Sequence, residues 1–293
     1  MSLDHLSALG LEVEQVENAA RFHSAYARTV LSRSDAGRLS LAGQPEAEQA
    51  DEWNRTVEAA SSFRDAAMWS FLLSPQTALG YLAEAGNLYM RAGCGFGFFL
   101  SSIARSSTAG SAPEPWMDMM LRLNQERPAL SKNSVPEPMR HPQQQTYALL
   151  GLAGSVLVDR EQRQMLDRMI LNSAHRDGVV PVGALGMPIR HFWRLAAMLL
   201  EEDEGSAVIR GIIPFLNRYA DSVASAQANQ YLWQNASSPV DIVDFDVLGI
   251  AVFASRKFGS KTLLDSMREV RRRVPSEGAV LLSLAEEVAT FDG

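Results

Sequence analysis

Ser-Pro-Val-Asp-Ile-Val-Asp-Phe-Asp-Val-Leu-Gly-Ile-Ala-Val-Phe-Ala-Ser-Arg-Lys-Phe-Gly, residues 238–259, is the stretch whose reading decides the fold. Ser238 is a good N-cap and Pro239 suits the first helical position. Asp241 then meets the free N–H groups and the positive end of the helix dipole. Arg256 and Lys257 fall in the last turn, and Gly259 supplies a left-handed stop. Between these ends Val240, Ile242, Val243, Phe245, Val247, Leu248, Ile250, Val252 and Phe253 cover almost every face. A helix that is apolar all round belongs in an interior, with other helices against it.

Working outward, the neighbours repeat the helical period. Residues 262–274 form a basic helix with Arg268, Arg271, Arg272 and Arg273, and residues 276–291 form the last helix, opened by Ser276 and Glu277. Upstream, residues 189–202 carry Phe192, Trp193, Ala196 and Leu199 on one face. Residues 206–220 follow, with Pro214 allowing a kink, and residues 221–234 carry Val223, Ala226, Tyr231 and Trp233. Near the start, residues 11–34 place Val13, Val16, Ala20, His23, Ala27, Val30 and Leu31 at three- and four-residue steps. Pro45 opens a second helix with Trp53, Val57, Ala60, Phe63, Ala67 and Phe71 inside. Ser74-Pro75 starts a third, over 76–92, in which Ala85 and Gly86 ask for another backbone close by. Gly93-Cys94-Gly95-Phe96-Gly97 breaks the pattern, and residues 98–109 resume it.

The middle of the chain reads as a short helix around Trp116, Met120 and Leu123, then a stretch at 126–142 with Pro128, Pro136, Pro138 and Pro142. That proline-rich loop is the one candidate boundary between subdomains within a single domain spanning 1–293. Helices over 143–158 and 160–175 come next, and Val179-Val180-Pro181-Val182 is the one candidate short strand. About a dozen helices and almost no alternating pattern predict an all-α fold, an irregular stack of antiparallel helix pairs resembling a helical repeat. Leu79, Gly80, Ala92 and Phe96 fall on some spacings of a tetratricopeptide unit, but no fixed 34-residue repeat runs through the chain.

Composition narrows the function classes. The chain has 293 residues, 46% hydrophobic and 21% charged, with a net charge of −7, which suits a globular protein and disfavours nucleic acid as a partner. There is no run of apolar residues long enough for a membrane span and no basic-then-apolar leader at the N-terminus. The single cysteine, Cys94, excludes an internal disulfide and suits a reducing cytoplasm.

Several constellations carry the types of residue that do chemistry. Asp241 and Asp244 share a helical face and could hold a divalent ion, whereas Asp246 lies about 200° away from Asp244. All-α isoprenoid synthases use such a cluster, but the second acidic site they need is absent; dipole complementation at a helix start explains the same residues. Arg168 and His175 have a spacing used by some all-α ribonucleases, with His as acid–base and Arg steadying a phosphate. A surface Arg and a histidine favoured at a helix end are the plainer reading. The Gly93–Gly97 loop lacks the Lys and Ser/Thr of a phosphate cradle, so it reads as a turn with a buried thiol. His23 and His191 sit on or near apolar faces, as core or interface histidines do. No His or Cys pair has metal-ligand spacing, and no cofactor is expected. Glu201, Glu202, Asp203 and Glu204 end a helix, where acids oppose the dipole. They are either a solvated loop or a surface kept acidic for a basic protein partner.

Three segments in order resemble the all-α immunity proteins of bacterial polymorphic-toxin systems, the immunity protein 49 type. They are Ala66-Ala67-Met68-Trp69-Ser70-Phe71-Leu72-Leu73-Ser74-Pro75, the helix–turn–helix from Tyr147 to Asp167 with Leu157-Val158-Asp159-Arg160 before Met165-Leu166, and Asp246-Val247-Leu248-Gly249-Ile250-Ala251 running on to Gly259. The chain departs from that family in having Asp-Arg at the turn and no tryptophan near Tyr147. The resemblance implies a cytoplasmic bacterial protein that binds and neutralises a cognate toxin, and it assigns no binding residue. The expectation is therefore a non-catalytic protein-binding molecule, with Glu201–Glu204 as contact residues. An all-α ribonuclease or metal-dependent enzyme, and a helical-repeat scaffold or adaptor, are the alternatives.

Overall fold

A computed structural model of the chain describes residues 4–33, 46–105, 144, 147–148, 150–151, 199, 204–228 and 242–291. All regular structure among them is α-helical, so the fold class is all-α. The short helix around Trp116, the proline-rich loop 126–142, the helix over 160–175 and the candidate strand at 179–182 lie outside the described residues.

The helices in chain order are α1 (Asp4–Ala8), α2 (Val13–Ser32), α3 (Glu46–Phe71), α4 (Pro75–Arg91) and α5 (Gly95–Ile103), then α6 (Gly205–Gly211), α7 (Ile213–Ala228), α8 (Phe245–Phe258), α9 (Ser260–Arg271) and α10 (Ser276–Phe291). The chain divides into two compact units. One comprises Met1–Phe22, Asp65–Leu79 and Arg194–Gly293; the other comprises His23–Arg64 and Gly80–Trp193.

The first unit is built on α8. From Val247 to Ser255 every residue of that helix is buried. The expectation of an interior helix is met: α6, α9 and α10 all pack on α8, and α10 also receives α1, α7 and α9. Large apolar side chains leave the water as this layer closes, each contributing roughly 1.5–3 kcal/mol. Phe71 of α3 meets the Phe245 ring edge-on at 6.1 Å between centroids.

The start of α8 differs from the expectation. The helix begins at Phe245, with Asp244 as its N-cap, so Ser238 and Pro239 do not open it. Ile242 and Val243 are buried but lie in a bend before the helix. The reason is tertiary. The Ile242 N–H donates to Met68 Sδ at 3.1 Å, and the Ile242 carbonyl accepts from the Tyr219 hydroxyl. With both backbone groups satisfied by other elements, the bend loses nothing by leaving the helical ladder. At the other end Gly259 ends the helix with the positive φ expected of it, +85°, but its ψ of 139° departs from a left-handed helical turn, and α9 starts at Ser260 without a loop.

The break between α6 and α7 also moves. It falls at Ile212, not between residues 220 and 221, and α7 runs unbroken through Asp221 to Ala228. Pro214 therefore sits in the first turn of α7, where its missing N–H has no helical partner to lose.

In the second unit α4 and α5 form an antiparallel pair with very close backbones. A Cβ added to Gly97 would stand 2.5 Å from both the Gly86 carbonyl oxygen and the Met90 nitrogen, and one on Gly86 would stand 2.9 Å from the Gly97 carbonyl oxygen. The close approach expected at Gly86 is thus present, and its partner is α5. Gly93, at φ +74°, is the residue that ends α4. Gly95 and Gly97 are helical, so α5 starts before Phe98, where the sequence had suggested its onset. Aromatic rings surround the pair. Phe96 lies 5.5 Å from Tyr89 and 4.7 Å from Tyr147, and Phe63 stacks on Tyr81 at 6.2 Å.

Candidate functional site

Asp244 precedes α8, and its Oδ1 accepts the N–H groups of Asp246 at 3.0 Å and Val247 at 3.1 Å. Those are two of the donors that a helix start leaves free. Asp246 sits in the first turn, where a negative charge complements the dipole. Asp244 is not helical, so it shares no helical face with Asp241, which lies outside the described residues. Among the described residues no group of three His, Cys, Asp or Glu is placed to hold a metal ion.

Cys94 is buried between α4 and α5. Burial pushes its thiol up from 9.0 to about 11, because the thiolate would lose its hydration. Its Sγ–H points at the Ala92 carbonyl, which also accepts from Trp53 Nε1 at 2.9 Å. A neutral thiol is a weak nucleophile, and Cys94 stands at the N-cap position of α5 rather than within a loop. Arg168, His175 and His191 lie outside the described residues. His23 lies on α2, partly exposed.

Of the acidic cluster, Glu201, Glu202 and Asp203 lie outside the described residues. Glu204 is exposed, with extended backbone at φ −119°, and occupies the N-cap position of α6. It therefore heads a helix, and for this residue the dipole effect is favourable rather than opposed. Its Oε2 accepts from the Ser206 hydroxyl at 3.2 Å.

The basic cluster is engaged with α10. Arg268 reaches Glu286 at 3.0 Å, and Arg271 donates to the Ser283 hydroxyl at 2.9 Å and lies 3.5 Å from Glu286. Arg273 pairs with Glu269 one turn back on α9. The two contacts to Glu286 link α9 to α10, whereas Arg273–Glu269 is local, and exposed pairs of this kind contribute little each.

One surface feature escaped the sequence reading. On α2, Phe22 is 63% exposed and Tyr26, one turn on, is 42% exposed. The inner face of the helix is carried by Val16, Ala19, Ala27 and Val30, whereas Val13, expected to be inside, is 38% exposed. The Tyr26 hydroxyl donates to Glu58 on α3. That bond and the carboxylate charge raise the Tyr26 pKa above its ordinary value.

No family model matches this chain, and neither a curated protein nor a solved structure matches it. Among the described residues no helix is long and apolar enough to cross a membrane.

Proposed function

We propose that this chain is a bacterial, cytoplasmic, non-catalytic protein that binds another protein, and that it acts as an immunity-type inhibitor neutralising a cognate toxin. The observation that carries the reading is the exposure of large aromatic side chains on α2, Phe22 at 63% and Tyr26 at 42%, in a chain of net charge −7. Aromatic residues are enriched where proteins bind proteins, and an acidic surface steers a basic partner into encounter. Two of the residues considered for chemistry have other roles in the structure. Asp244 caps a helix and Cys94 is a buried neutral thiol. In this reading Glu201, Glu202, Asp203 and Glu204 add the acidic part of the contact, and the helices form a repeat-like stack of about a dozen in antiparallel pairs. The resemblance of three segments in order to the immunity protein 49 type is the ground for naming a toxin as the partner.

The test is co-expression with the product of the adjacent gene, followed by size-exclusion chromatography and a growth assay. Co-elution and rescue of growth are the expected results. Phe22→Asp, with an unchanged melting temperature, should weaken the complex at least about tenfold, the effect of losing one aromatic contact worth ~1.4 kcal/mol. A purified chain that forms no complex and rescues no growth would overturn the proposal.

A further inference from the structure

We draw no further inference here: the strongest candidate, the exposed Phe22 and Tyr26 on the outer face of α2, is the surface already used for the proposed function, and nothing in the structure shows what covers it.

Discussion

The carboxylate of Asp244 accepts the backbone N–H of Val247 at 3.1 Å, three residues on. A bond of that kind closes the N-terminus of a helix and accounts for the acid without a metal. Asp244→Ala should therefore cost about 1 kcal/mol of stability, within a range of roughly 0.5–2. Asp244→Asn, whose side-chain oxygen can accept the same bonds, should recover most of it. Neither magnesium nor a chelator should move the melting temperature of the native chain. A magnesium-dependent rise that disappears in Asp244→Ala would replace the cap with a metal site.

Two glycines should resist substitution for opposite reasons. Gly97 has ordinary helical geometry, but a methyl group there collides with α4 backbone. Overpacking of this kind costs about 1–3 kcal/mol, and more where backbone must move. Gly259 has open space around it, yet its φ of +85° with ψ of 139° is a region that other residues avoid. Gly259→Ala should cost roughly 1–3 kcal/mol through backbone strain alone. Chemical denaturation of Gly97→Ala and Gly259→Ala reads both effects. Near-neutral values would contradict the close α4–α5 pairing in the first case and the positive-φ junction in the second.

How far the sequence carried the fold can be judged from α8. Its apolar residues, its basic last turn and its terminal glycine were legible, because all three are local signals. Its first residue was not. Ser238-Pro239 and Asp244-Phe245-Asp246 are both good helix starts, and Ile242 and Val243 continue the apolar run. Met68 and Tyr219, distant in sequence, decide between them by binding the Ile242 backbone. The glycines between Gly93 and Gly97 misled for a similar reason. Glycine at a turn and glycine at a close helix crossing look alike until the second helix is in place. The candidate site was legible only in fragments. Asp244 and Cys94 stand out in the sequence, but their partners are backbone groups that no spacing reveals. The exposure of Phe22 depends on how neighbouring elements cover α2, which its own periodicity does not specify.

Cys94 gives the chain a pH dependence on the alkaline side. Its thiol is raised to about 11 in the folded chain from 9.0, so the folded state holds its proton where the unfolded state releases it. The stabilisation is full below pH 9.0 and is lost as pH rises through about 11. Cys94→Ala should flatten that part of the stability curve. In the native chain at neutral pH a maleimide should react slowly, and denaturant should accelerate it sharply. Fast labelling of folded protein would mean an accessible thiolate.

Tyr26 supplies a local reporter on α2. Its hydroxyl donates to Glu58, and the hydrogen bond together with the negative charge delays its ionisation. In Glu58→Gln the charge is gone, so Tyr26 should ionise at lower pH than in the parent chain, seen by ultraviolet titration. An unchanged or higher titration point would show that the two side chains do not meet.

The interior position of α8 underlies the packing of α6, α9 and α10 and the structural role assigned to Asp244. Native-state hydrogen exchange of the amides from Leu248 to Ser255 tests it most directly, read beside Leu248→Ala, a buried truncation that should cost about 2–5 kcal/mol. These amides should be among the slowest in the chain and should exchange only through global unfolding. Exchange as fast as at the exposed positions of α2, with no loss of stability in Leu248→Ala, would contradict the account.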